Sequence, residues 1–237
     1  GLDIEVRGTG PLDEAQQKAL IAAASRLDLA RIANHGRTII AYRTPTILVA
    51  DIPVALPPGG FLQATQAGED ALATCVLDAA KGAKRVLDLF SGIGTFALRL
   101  ARHADVVAAE SDANAVAALR AAAGFATGLR ALRGEQRDLV RRPFARAELN
   151  DFDAVVFDPP RAGAAEQTAE LARSDVPLIV GVSCNPKTFA RDAKLLADGG
   201  YTLERVTPVD QFRHSAHVEL VGIFRRAKAR KKRKLLG

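Results

Sequence analysis

Cys184 stands at the end of an apolar run containing Leu178, Ile179, Val180 and Val182, and Asn185-Pro186 follows it. Beyond them, Phe189, Ala190, Ala193 and Leu196 recur at helical spacing, with Gly199-Gly200 as a stop. The thiol therefore lies in a strand-to-helix turn, with Asn185 as N-cap and Pro186 at the first helical position. That is a position for a nucleophile, because a helix N-terminus favours a thiolate against a free-cysteine pKa near ~8.5. A small buried core residue is an equally weighted reading, since free cysteine is among the most buried residue types. Cys75, among Ala71, Leu72, Val76 and Ala79 in a helical stretch, reads as packing.

Two carboxylates accompany the thiol. Asp158 ends the apolar run Ala154 to Phe157 and is followed by Pro159-Pro160-Arg161, whose prolines end a strand and stiffen its loop. Glu219 lies at the start of a last apolar run, Val218 to Phe224, where its plain reading is an exposed strand-end carboxylate. His214 and His217 read as surface or hydrogen-bonded residues, and no further Cys or His supports a metal site.

Upstream is a glycine loop. Val86 to Leu89, interrupted by Asp88, precedes Ser91-Gly92-Ile93-Gly94-Thr95 and a helix from Phe96 to Arg102. Gly92, Gly94 and Ala97 match the loose dinucleotide fingerprint, a weak signal alone. The next strand, Val106 to Ala109, ends in Glu110, where such folds bind ribose hydroxyls. A glycine loop followed by an acidic strand end favours a nucleoside ligand over an ordinary N-cap region. Asp88 at the loop entrance suits a cationic sulfonium with an amino-acid arm better than a pyrophosphate.

The elements that must position these residues form a βα repeat. A helix from about Gln66 to Ala80 precedes the glycine loop. After Glu110 come a helix from Ala113 to Ala123, a short strand before Gln136-Arg137-Asp138, the Asp158 strand, a helix from about Ala164 to Arg173, and the Cys184 strand. This predicts a doubly wound, mostly parallel α/β sheet, which binds ligands outside the carboxyl ends of its strands. Leu203 to Val206 and Val218 to Phe224, with no helix between them, should pair antiparallel, returning His217 and Glu219 to the Cys184 edge.

Residues 1 to about 60 read as a small α+β piece: Ile4 to Arg7 extended, Leu12 to Leu29 helical, then Arg37 to Arg43 and Thr46 to Asp51 as a hairpin around Thr44-Pro45. Three strands and a helix bury little surface alone, so this segment should pack on the next domain or on further residues. Pro57-Pro58-Gly59-Gly60 marks the boundary, giving 1–60, a main domain over 61–226 and a basic tail over 227–237.

Composition bounds the function. A chain of 237 residues, 48% hydrophobic and 25% charged, holds one full globular domain and part of another. Two cysteines make neither a disulfide framework nor a metal cluster, and no apolar run approaches the ~18 residues of a membrane span. A cytoplasmic, monomeric protein is the expectation. The chain has no methionine and starts at Gly1, as a processed or truncated protein would. The net charge of +6 comes from the end: eight basic residues and no acid lie from Arg225 onward, leaving 25 basic against 27 acidic residues elsewhere. The tail reads as an electrostatic arm for RNA or as a solvated terminus, and the body is not a uniformly basic binder.

The segments FLQ (61 to 63), VLDLFSGIGTF (86 to 96), FDPPRAGA (157 to 164), VSCNPKTFARD (182 to 192) and DQFRHSAHVEL (210 to 220) together resemble the bacterial S-adenosylmethionine-dependent RNA uracil-5 methyltransferases, which act on ribosomal or transfer RNA. The resemblance spans about residues 61 to 225 and implies a Rossmann-like class I methyltransferase fold. It implies cofactor contacts from Gln63, Phe90, Thr95, Glu110, Asp138 and Asp158, beside the loop residues Gly92 and Gly94. Phe61 corresponds to the aromatic residue next to the target base, with Gln63 also on the substrate side, Cys184 to the nucleophile and Glu219 to the base. Ribosomal RNA is the favoured substrate. Some members of that family hold an iron-sulfur cluster on four cysteines, for which this chain has no ligands, and members usually carry an N-terminal RNA-binding barrel. The first 60 residues resemble only the end of their central domain. A nicotinamide-dependent oxidoreductase would share the glycine loop but gives Asp158-Pro159-Pro160 and Cys184 no joint role; a non-catalytic RNA-binding remnant is the other alternative.

Overall fold

The computed structural model describes residues 1–8, 10–212 and 214–226; the basic tail 227–237 lies outside the described residues. Among these, twelve strands and seven helices make three sheets. The first sheet contains β1 (Asp3–Val6), β2 (Arg31–Asn34) and β3 (Arg37–Ala41) with α1 (Glu14–Arg26) between β1 and β2. Asp13 caps α1, its carboxylate accepting from the Gln16 N–H while the Gln16 side chain accepts from the Asp13 N–H.

The expected hairpin around Thr44-Pro45 does not form. Arg37–Ala41 turns back on Arg31–Asn34 through His35-Gly36, and β4 (Thr46–Val49) turns onto β5 (Ile52–Ala55) through Ala50-Asp51. Both two-residue turns have positive φ throughout (48° and 76°; 55° and 91°), the hand that matches strand twist. Gly36 was the visible signal for the first. In the second, Ala50 and Asp51 carry no such signal, so the strand pair reads as one. The β4–β5 hairpin buries Val49, Ile52 and Val54 in the same core as Leu72, Val76 and Leu119 of the following helices. Ala24, Leu29 and Ile32 form a separate small core under the first sheet.

The large sheet follows the βα alternation. Its strands are β6 (Arg85–Leu89), β7 (Asp105–Glu110), β8 (Leu132–Gln136), β9 (Ala154–Phe157), β10 (Leu178–Ser183), β11 (Tyr201–Val209) and β12 (Glu219–Arg226), in the order β11-β12-β10-β9-β6-β7-β8. Strands β6 to β10 are parallel, and β12 runs antiparallel between β10 and β11. The helices are α2 (Gln66–Ala79), α3 (Ala97–Leu100), α4 (Ala113–Phe125), α5 (Arg146–Leu149), α6 (Ala165–Arg173) and α7 (Pro186–Asp198). Because side chains alternate across a strand, one run feeds two cores: Val86, Val156 and Val180 face one, and Leu87, Leu89, Val155 and Ile179 the other. This seven-stranded, mostly parallel sheet with its C-terminal antiparallel strand is the Rossmann-like class I methyltransferase fold.

Candidate active site

The strand ends converge on one cavity of about 520 Å³. Phe61, Gln63, Phe90, Gly92, Thr95, Glu110, Asp138, Asp158, Cys184 and Glu219 all line it. Gly94 does not. Its φ of 100° suits glycine, and a Cβ there would collide with Leu119 of α4, so it lets the loop lie close on that helix.

The loop after β6 is built from backbone constraint. Phe90 takes a left-handed φ of 60°, sparsely populated for a bulky residue. The Ser91 N–H then donates to the Ala109 carbonyl (3.1 Å), and the Gly94 N–H to the Ser91 carbonyl (2.9 Å). Glu110 closes the turn: one carboxylate oxygen accepts from the Gly92 N–H (3.1 Å), the other from the N–H groups of Ser111 (2.6 Å) and Asp112 (2.9 Å). Asp138 is exposed at its own strand end and accepts from the Val140 and Arg141 N–H groups (3.0 and 3.1 Å). Buried Arg137 holds that loop, donating to both oxygens of Glu148 (2.8 and 2.9 Å) and to the carbonyls of Arg142 and Pro143.

Asp88 departs from its expected role. It is fully buried, on the face of β6 that also carries Val86, and it does not line the cavity. Neither carboxylate oxygen has a hydrogen-bond partner, and the Ser91 hydroxyl is likewise buried without one. Burial first, then Asp158 and Glu110, push the Asp88 pKa well up. Burial thus favours the neutral form of Asp88, and the carboxyls at the cavity wall are Asp158, Glu219 and Glu110. Buried polar groups without partners are uncommon in folded proteins, and the Ser91 hydroxyl, on the cavity wall, fits a ligand that brings a polar group to the glycine loop.

The thiol end of the cavity is set by sheet register. In the antiparallel β10–β12 pair the register ends with Ser183 opposite Leu220, so Cys184, which follows β10, and Glu219, which starts β12, come to the same edge and both line the cavity. Helix α7 starts as expected, with Asn185 as N-cap accepting from the Lys187 N–H (3.0 Å) and Pro186 in the first turn. The Asn185 amide and the Thr188 hydroxyl donate to the Arg161 carbonyl (3.0 and 3.3 Å), tying the Asp158-Pro159-Pro160-Arg161 loop to the turn that carries Cys184.

The electrostatics contradict the expectation of a dipole-stabilised thiolate. Burial, then Glu219 and Asp158, raise the Cys184 pKa from 9.0, outweighing its own N–H and Arg161. Cys184 precedes the N-cap, and the helix field falls off within the first turn. Glu219, only 5% exposed, has its own pKa raised by burial. Asp158 is pushed up to about 7, by burial and then by Glu219.

Sequence reasoning missed Arg161 as a site residue, although it stood within the FDPPRAGA segment. Its guanidinium meets His217 Nδ1 at 3.1 Å. Phe61 is 78% exposed at the cavity mouth. Among the described residues no group of three or more His, Cys, Asp or Glu could hold a metal ion, and no helix is long and apolar enough to cross a membrane.

These shifts predict how stability depends on pH. A carboxyl whose folded pKa exceeds its unfolded value binds more protons when folded, so stability falls as pH rises between the two. For Asp158 that window runs from 3.8 to about 7. Denaturant unfolding of the ligand-free protein should show stability declining across it, and Asp158→Asn should flatten the decline. An Asp158→Asn profile parallel to wild type would exclude this origin.

The model of the tRNA (uracil-5-)-methyltransferase family matches residues 55–228. An uncharacterized RNA methyltransferase of Caulobacter vibrioides is 51% identical over 231 residues, covering 95% of this chain and 55% of that protein. The 23S rRNA (uracil(1939)-C(5))-methyltransferase of Pseudomonas fluorescens is 43% identical over 191 residues, covering 78% of this chain and 41% of that protein. Among solved structures, the Pyrococcus abyssi tRNA (uracil-54, C5)-methyltransferase in complex with S-adenosyl-L-homocysteine aligns with a TM-score of 0.69 and 27% identity, over 93% of this chain and 56% of that one. The chain spans about half the length of the curated relatives it matches most fully.

Proposed function

The chain belongs to the tRNA (uracil-5-)-methyltransferase family, and from that premise we propose that it transfers a methyl group from S-adenosylmethionine to C5 of a uridine in RNA, through a covalent bond between Cys184 and C6 of the base. The observation that carries this reading is one cavity lined by Cys184, Glu219 and the glycine loop, with the Glu219 carboxyl buried and its pKa raised.

C5 of uracil is a poor nucleophile until something adds at C6. Cys184 adds there, giving an enolate whose C5 accepts the methyl; Glu219 then removes the C5 proton, and the thiolate leaves as the double bond reforms. When bound, S-adenosylmethionine supplies a methyl on a sulfonium, whose positive charge suits a wall carrying Asp158, Glu219 and Glu110. Glu110 accepts the ribose hydroxyls, Gln63, Phe90, Thr95, Asp138 and Asp158 complete the nucleoside and amino-acid contacts, and Phe61 stacks beside the target base at the mouth. The protein's main contribution is to hold the two reactants in line.

Ribosomal RNA is the favoured substrate: the relative named for 23S rRNA is 43% identical to this chain, the solved transfer-RNA enzyme 27%. The test is methyl incorporation from labelled donor into unmodified ribosomal and transfer RNA, followed by mapping. The expected product is 5-methyluridine in ribosomal RNA. A preparation that binds both RNA and adenosylhomocysteine but methylates neither RNA would support the RNA-binding remnant instead. Glu110→Ala is expected to weaken adenosylhomocysteine binding by about 1.5–3 kcal/mol, the scale of hydrogen bonds to a charged group. Unchanged affinity by calorimetry would remove Glu110 from the ribose site.

A further inference from the structure

Gln211 lies in the DQF stretch between β11 and β12, outside the cavity lining, and has no part in the chemistry above. Its side chain nevertheless reaches across the fold to the entry of α2. Its Nε2 donates to Gln63 Oε1 (3.0 Å), and its Oε1 accepts from the Thr65 N–H (3.4 Å). Thr65 is the N-cap of α2, its hydroxyl accepting from the Gly68 N–H (3.0 Å). Gly68 is buried, and a Cβ on it would collide with the Gln211 side chain; glycine there keeps the space that Gln211 fills.

The consequence falls on Gln63. A side-chain amide is nearly symmetric in shape but opposite in hydrogen-bonding character at its two ends, so its neighbours decide which end points where. With Gln211 donating to its carbonyl end, Gln63 presents its NH₂ to Asp158, Nε2 to Oδ2 at 3.4 Å. Turned over, it would set a carbonyl dipole against that carboxyl and leave the Gln211 NH₂ facing another donor. We propose that Gln211 is a positioning residue that sets the orientation of the Gln63 amide, and through it the contact between Gln63 and Asp158. This rests on the reading that Gln63 and Asp158 face the bound donor, but the orientation itself can be tested without it.

The test uses Gln211→Met, similar in length without the amide, and Gly68→Ala, which displaces Gln211 while favouring helix. Two readouts are taken in the whole chain. The first is the carboxyl titration of Asp158 by carbon NMR, assigned with Asp158→Asn; the charged or titratable groups near Asp158 are Glu219, Asp88 and Cys184. Loss of the oriented NH₂ should move the titration upward from about 7 in both variants. The second is adenosylhomocysteine affinity by calorimetry. Gln211→Met should weaken it roughly three- to tenfold, the scale of one neutral hydrogen bond. The same substitution in a Gln63→Met background should change it less than twofold, because Gln211 would then have nothing to orient. An Asp158 titration that stays at its wild-type position in both variants, or fully additive losses in the double variant, would overturn the proposal. If the wild-type chain bound no adenosylhomocysteine, the functional reading would fail while the titration still decided the role of Gln211.

Discussion

Cys184→Ala is expected to abolish methyl transfer to RNA, by at least roughly 10⁴-fold, the scale seen when a covalent nucleophile is removed. Adenosylhomocysteine should still bind, because the glycine loop and Glu110 do not depend on the thiol. Cys75→Ala should be close to wild type, since Cys75 packs against the core beneath α2, away from the cavity. RNA containing 5-fluorouridine should trap the wild-type chain, because fluorine at C5 leaves no proton to remove after methyl transfer. Peptide mapping should find the adduct on Cys184. An adduct on Cys75, or none from a preparation active on ordinary RNA, would exclude the covalent route. The raised thiol pKa adds a pH signature: the fraction of thiolate, and with it the rate of trapping, should climb with pH on the alkaline side of neutrality.

The second large effect is at Glu219. Glu219→Gln keeps shape and hydrogen-bonding capacity but cannot take the C5 proton. Cys184 should still add and the methyl should still transfer, so the variant should accumulate a covalent, methylated complex with ordinary uridine that survives denaturation. Turnover should fall by about 10²- to 10⁴-fold, the usual contribution of a positioned base. Wild-type turnover by Glu219→Gln would assign the proton to another group, such as His217 or water. A slow variant with no covalent complex would instead place Glu219 before methyl transfer.

Much of this was legible in the chain. Runs such as Ala154–Phe157 and Leu178–Ser183 are apolar at every position because both faces of a parallel sheet are covered, and each ends at a polar residue or a turn. The glycine loop, Glu110 at the next strand end and Asn185-Pro186 after Cys184 are local signals, and local backbone preferences suffice to read them. Glu110, Asp158 and Cys184 were legible at the cavity for the same reason, since each sits at the end of a strand or in the turn that follows it.

What the tertiary structure decided is what depends on distance through space. The hairpins of the first 60 residues paired differently because Ala50-Asp51 takes a turn conformation that its residue types do not announce, and sheet partners are chosen by packing as well as by turn chemistry. The antiparallel return of Glu219 to the Cys184 edge was expected, but it is completed by β12 inserting between β10 and β11, a choice of neighbour that periodicity does not encode. Ionisation followed from burial and juxtaposition: Asp88, read as a loop-entrance carboxylate, is sealed away with its pKa pushed well up, and the thiol expected to ionise easily has its pKa raised by burial and two neighbouring carboxyls. Sequence alone determined which groups reach the ligand edge, through local pattern and strand ends. Only the fold determined how each group ionises and which partner it meets, because desolvation and Coulomb interactions act between residues distant in the chain and adjacent in space.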